Sequence, residues 1–176
     1  MTLPGPAVIT YPSTRFTIPL PDPYEVAVRR YEELVPPVDL ARFSQLGTWE
    51  AVVELAEINA PLGFMIYWKT DVTAIMAGSP SGWKSTEYLM GNHVIAERMF
   101  RHDAGVMLHA PLRTEIYADP EGSTQLIIDR PSAHFASYGI PAITEVGVEL
   151  DNLVAGLLGA LGALGAPVPR ELRDRG

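Results

Sequence analysis

The segment from Thr86 to Tyr117 constrains the fold most, because the spacing of its apolar residues changes twice. Apolar and polar residues alternate up to Met90, as in a strand with one buried face. From His93 to His102 the apolar residues recur every three or four positions, which predicts a helix. Alternation resumes from Val106 and predicts a second strand. Gly91-Asn92 should form a tight turn between the first strand and the helix.

The flanking elements follow from the same periods and from the residues that bound them. Polar residues suited to cap a helix, Asp22, Thr48 and Thr144, each precede a stretch with helical spacing. The turn-forming run from Asp119 to Ser123 predicts a hairpin, so the strands on either side of it should pair antiparallel. Alternation and strand propensity predict further strands at 15–20, 64–77 and 124–129.

This order of elements predicts a single α+β domain, with an antiparallel β-sheet and helices packed on one face. A chain of 176 residues can bury a core of ordinary size without disulfide bonds. We place the domain at 14–166, after an extended, proline-containing N-terminal arm at 1–13. A flexible tail is predicted at 167–176.

The composition argues against several classes of function. With 13 Lys and Arg against 21 Asp and Glu, the net charge of −8 would repel nucleic acids and anionic membranes. The absence of cysteine excludes disulfide bonds, thiolate metal sites and thiol catalysis. The N-terminus lacks the pattern of a secretory signal, and the apolar run at 153–168 is too short to span a membrane. We therefore expect a cytoplasmic protein with neither nucleic-acid nor membrane partners.

Histidine and arginine in the central segment suggest a site for an organic anion. His93 begins a helix, where the helix dipole favours the neutral imidazole that can act as a base. His109 and Arg113 are four positions apart on a predicted strand and should share a face with side chains of the 64–77 strand. The candidate residues are His93 and His109 for acid–base catalysis, with Tyr67, Lys69, Trp83, Tyr88 and Arg113 for binding; Trp83 would close the pocket as a lid.

These residues support three alternative functions. The first is a domain that binds a small, partly apolar organic anion without a cofactor; if it is an enzyme, we expect acid–base chemistry of the isomerase, cyclase or lyase type. The second is a non-catalytic homodimer whose polar sheet face is the interface. The third is a metal enzyme with His93, His109 and His134 as ligands, although their spacing matches no local ligand motif.

The segment from Thr86 to about Leu164 contains Gly91-Asn92, Asp103-Ala104-Gly105, a strand with Pro111, Ile127-Ile128-Asp129 and an Ala- and Leu-rich last helix. With these motifs the segment resembles a bacterial family, domain of unknown function 302. The resemblance implies a compact α+β domain with an antiparallel sheet, often dimeric, and no general biochemical activity. The helix at 48–60 would be an insertion relative to that family.

Overall fold

The computed structural model describes residues 5–163, in which five strands form one antiparallel sheet with the order β1-β5-β4-β3-β2. The strands are β1 (Arg15–Pro19), β2 (Met65–Asp71), β3 (Lys84–Gly91), β4 (Leu112–Ala118) and β5 (Thr124–Asp129). The helices are α1 (Tyr24–Leu34), α2 (Leu40–Ser44), α3 (Trp49–Asn59), α4 (Val72–Ile75), α5 (His93–Phe100), α6 (Pro131–Phe135) and α7 (Pro141–Ala160), with 3-10 turns at Ala104–Leu108 and Ala136–Tyr138. The predicted single α+β domain is confirmed, and so is the β4–β5 hairpin.

The main core lies between one face of the sheet and helices α1 and α7. Strands β3, β4 and β5 alternate between buried and partly exposed residues, so each turns one set of side chains to this core. A second, smaller core lies between α2, α3 and the start of β2, centred on Phe43, Leu55 and Met65. No helix within residues 5–163 has the length and apolarity that a membrane span requires. The predicted tail at 167–176 lies outside the described residues.

A β-bulge at Tyr67 determines which way β2 turns its side chains. Ile66 pairs with Met90, but the next pair joins Trp68 to Leu89, so Tyr67 is an extra residue. The bulge reverses the alternation that the sequence predicted for this strand. Lys69 therefore pairs with Tyr88, whose side chain is in the core, rather than sharing a face with Arg113.

Three local predictions are corrected by side chains that cap helices. Strand β2 ends at Asp71 instead of continuing to residue 77, because the Asp71 carboxylate accepts the Ala74 N–H at 3.0 Å and begins α4. Asn92 does not form a turn but caps α5, accepting the Val94 N–H at 3.0 Å. Asp103 caps a 3-10 turn, so the strand predicted from Val106 begins only at Leu112.

Helix α6 lies close against α7. A Cβ on Gly147 would be 3.1 Å from the Ser132 Cα, so the absence of a side chain there allows the two backbones to approach. The buried carboxylate of Asp151 accepts the Ser132 N–H at 2.9 Å and an Arg130 N–H at 3.0 Å. These contacts fix the position of His134 on α6.

Candidate functional site

Tyr67 and His93 form a hydrogen-bonded pair where β2 meets the start of α5. The Tyr67 hydroxyl accepts the backbone N–H of His93 at 3.1 Å. The same hydroxyl is 2.6 Å from Nδ1 of the His93 ring. The bulge brings Tyr67 to this position, and the Asn92 cap fixes the first residue of the helix. Both side chains are therefore held by the backbone elements that carry them.

We infer from this network which ring nitrogen of His93 carries the proton. Because the Tyr67 oxygen accepts from the backbone, its own proton is free to be donated to Nδ1. A neutral imidazole that accepts at Nδ1 carries its proton on Nε2. Nε2 of His93 is buried and has no hydrogen-bond partner within the described part of the chain. With this tautomer, the pair presents one unsatisfied donor.

Burial shifts the pKa values of both partners in the direction that keeps this arrangement neutral. Burial lowers the pKa of His93 below its ordinary value, and burial raises the pKa of Tyr67 despite the hydrogen bond from His93. The Phe43 ring packs edge-on to the His93 ring, with centroids 4.4 Å apart, and contributes to this burial. The sequence predicted a neutral His93 from the helix dipole; removal from water is the main cause.

An apolar cavity of about 150 Å³ lies beside the Tyr67–His93 pair. Its walls come from β2, α5, the segment before β4, α6 and α7, and include Phe64, Ile95, Met99, Pro111, Phe135 and Leu150. Tyr67, Asn92 and His93 are its polar side chains, and Asn92 already bonds to Val94 N–H and the Gly63 carbonyl. No Lys or Arg is among the described residues that line it. A cavity of this size accommodates a molecule about as large as benzene.

His109 lies outside this cavity and belongs to a separate cleft. It ends the 3-10 turn instead of sharing a strand with Arg113, and its ring stacks against His134 with centroids 4.6 Å apart. The cleft has a volume of about 330 Å³ and is lined by both histidines, Asp129 and Arg113. The segment from Met107 to Leu112 separates the cleft from the cavity. His93 and His109 therefore do not act on one shared pocket.

Lys69 and Tyr88 both contact a carboxylate of α1 and do not line the cavity. The Glu32 carboxylate is 2.5 Å from the Lys69 ammonium and accepts the Tyr88 hydroxyl proton at 2.9 Å. Burial raises the pKa of Tyr88, and the adjacent carboxylate raises it further, so the phenol stays protonated. The predicted cationic patch of Lys69 with Arg113 is wrong, because the bulge turns the two side chains to opposite faces.

Arg113 and Trp83 also lie away from the Tyr67–His93 pair. Arg113 is exposed and forms an ion pair with Glu87 at 2.9 Å. Trp83 precedes β3, whereas His93 follows it, so the length of the strand, roughly 23 Å, separates them. The Trp83 ring instead lies 5.9 Å from that of Tyr117. A lid role for Trp83 over this cavity is excluded by that separation.

The metal alternative required His93, His109 and His134 to converge. His109 and His134 do lie together, but His93 faces the other cavity. Within residues 5–163, no three His, Asp or Glu side chains are arranged to hold a metal ion. The structure therefore does not favour that alternative.

Comparison with known proteins identifies the family. The family model described as domain of unknown function DUF302 matches residues 42–158. The chain belongs to the DUF302 family. A crystal structure of an uncharacterized conserved DUF302 protein from Bacillus stearothermophilus superposes with a TM-score of 0.61 at 16% identity, over 84% of this chain and 97% of that one. This likeness supports the fold alone. No curated protein matches the chain.

The sequence did not indicate two residues that shape the sites of this DUF302 domain. Phe43 lies on α2, a short helix without a clear periodic pattern, and Tyr11 belongs to the aperiodic arm. The pair Gly91-Asn92 predicts a turn, although an Asn before a helical stretch is also a common cap. The family match at 42–158 covers the helix at 48–60. That this helix is an insertion relative to the family stays a prediction.

The lowered pKa of His93 predicts a specific dependence of stability on pH. Between the folded pKa and the ordinary value of about 6.5, the unfolded chain binds a proton at this residue that the folded chain does not. The free energy of unfolding should therefore decrease as the pH falls from about 6.5 through that window. His93→Gln should make the decrease less steep, whereas His102→Gln, at an exposed position, should not.

Urea unfolding between pH 7.5 and 5 would measure this dependence. In His93→Gln the free energy of unfolding should still decrease somewhat with falling pH, because the pKa of His109 is lowered as well. Burial is the main cause of that shift, and the neighbouring His134 adds to it. Equal slopes for wild type and His93→Gln would contradict the assignment.

Proposed function

We propose that this DUF302 domain binds a small, largely apolar molecule that carries one hydrogen-bond acceptor. The ligand would fill the cavity beside Tyr67 and His93, and its acceptor would bond to Nε2–H of His93. The buried, unpartnered Nε2 of His93, a residue that lines an apolar cavity, is the observation that carries this proposal. A buried donor without a partner costs free energy that a ligand acceptor would recover.

The lining of the cavity favours a neutral ligand over the organic anion expected from the sequence. Lys69 pairs with Glu32 and Arg113 pairs with Glu87, and neither reaches the cavity wall. An anion would lose its hydration in the cavity without gaining a cationic partner. A neutral carbonyl loses less on desolvation and can still accept the proton of Nε2.

Acid–base chemistry at this site would begin from the same hydrogen bond. Nε2–H would polarise a carbonyl of the ligand, and the Tyr67 hydroxyl could return a proton to the ring through Nδ1. An isomerase or lyase also needs a base that removes a proton from the ligand. The described lining residues offer no further titratable side chain for that step, so binding is the function that we put first.

Binding of cyclohexanone and toluene, which have similar sizes, tests the proposed donor. Cyclohexanone should bind roughly three- to tenfold more tightly because only its oxygen can accept from Nε2. Benzoate should bind more weakly than either. Dissociation constants would come from the His93 ring signals in proton–carbon correlation spectra titrated with each compound.

Two variants control this comparison. His93→Phe removes the donor and should lose the preference for cyclohexanone, because the ketone oxygen would then lose its hydration without gaining a partner. Its binding would be followed through the methyl signals of Ile95 and Met99 on the cavity wall. His102→Phe, at an exposed position, should keep the wild-type preference. Equal binding of both compounds to the wild type, or binding of neither, would refute the proposed function.

A homodimer formed through the open sheet face is the second candidate, and the pattern of charges on that face supports it. The open sheet face is the side of the sheet that carries Trp68, Leu89 and Arg113 in one row and Glu87, Glu115 and Ile127 in the next. A two-fold axis could place the arginine of one copy against the glutamates of the other. Trp68 is 45% exposed on this face.

The cytoplasmic location expected from the sequence stays a prediction.

Exchanging exposed tryptophans for glutamate tests the dimer. Trp68→Glu should shift the wild-type dimer toward monomer, because it buries a charge in the interface. Trp49→Glu is the matched control, since Trp49 is 44% exposed on α3 and should leave the dimer intact. Sedimentation equilibrium would measure both. A monomeric wild type, or equal effects of the two substitutions, would contradict this interface.

A further inference from the structure

Tyr11, in the N-terminal arm, places its hydroxyl between two stacked imidazoles. The hydroxyl oxygen is 3.2 Å from Nε2 of His109 and 3.5 Å from Nδ1 of His134. The phenol ring is edge-on to both, with centroids 6.0 Å and 5.8 Å away. Residues 5–10 of the arm are exposed, so Tyr11 is the half-buried contact of this segment. This aromatic side chain thus attaches the arm to the His109–His134 pair.

The two histidines are fixed by the domain, not by the arm. The His109 backbone N–H bonds to the Val106 carbonyl at 2.9 Å, which holds it at the end of the 3-10 turn. His134 is held on α6 through the contacts of Ser132 with α7, and its ring is 3.8 Å from Asp129. The pair and its cleft should therefore persist when Tyr11 is removed.

We propose that the His109–His134 pair is a binding site for a phenolic hydroxyl, and that Tyr11 occupies it in cis. The two imidazoles can offer one acceptor and one donor to a hydroxyl placed between them, and a hydroxyl can satisfy both at once. The adjoining cleft of about 330 Å³ has room for the ring of a small phenol. The arm is then a strap that such a ligand displaces. This site is independent of the His93 cavity.

Occupation by Tyr11 should mask the site in the wild-type protein. A tethered group competes at a high effective concentration, so a free phenol must bind against it. Replacing the side chain removes the competitor and leaves a gap that matches 4-methylphenol, the detached form of the tyrosine side chain. Chemical complementation of Tyr11→Ala therefore reports directly on this site.

The test uses the full chain with Tyr11→Ala, titrated with 4-methylphenol and followed by the ring signals of His109 and His134. The apparent affinity should be about tenfold higher for the variant than for the wild type. Toluene, which lacks the hydroxyl, should not shift these signals. The ring signals of His93 report separately on binding in the apolar cavity, so the two sites are distinguished in one spectrum.

Tyr117→Ala is the control variant, because Tyr117 lies on the open sheet face and its hydroxyl donates to Gln125. In this variant Tyr11 should still mask the site, so the apparent affinity for 4-methylphenol should equal that of the wild type. Equal affinities for wild type and Tyr11→Ala, no response of His109 and His134 in either, or an equal response to toluene would each overturn the proposal.

Discussion

The hydroxyl of Tyr67 is the contact on which the proposed site depends. It accepts the first N–H of α5 and is within hydrogen-bonding distance of Nδ1 of His93, so one oxygen fixes both the helix start and the imidazole. The bulge in β2 makes this possible, because a regular strand would turn Tyr67 elsewhere. Without the hydroxyl, two polar groups of His93 would lose their partner in a largely apolar environment.

The same bulge and the segment before β4 separate the histidine and basic side chains of the domain into distinct sites. His93 faces an apolar cavity, His109 and His134 face a polar cleft, and the segment from Met107 to Leu112 lies between them. Lys69 and Arg113 are engaged by carboxylates on opposite sides of the sheet. On our proposals, the first site offers one neutral donor to an apolar ligand, and the second offers a histidine pair that matches a hydroxyl.

The sequence predicted the fold better than it predicted the site. Alternation in β4 and β5 and the turn at Asp119–Ser123 encode local structure, so the hairpin and the α+β class were correct. Thr48 caps α3 as expected. The pairing of Tyr67 with His93 depends on one extra residue in β2. The spacing of apolar residues in a sequence does not reveal such a bulge. Tyr11 meets His109 across 98 residues through an arm without a pattern, which only the tertiary structure can show.

The protonation of His93 is the most direct test of this account. Long-range proton–nitrogen correlation spectra distinguish the two neutral tautomers of histidine and its cation. At pH 7 the account predicts the neutral form with the proton on Nε2 and an unprotonated Nδ1 that accepts from Tyr67. A proton on Nδ1, or a charged ring, would contradict it, because Nε2 would then not be the free donor of a neutral pair.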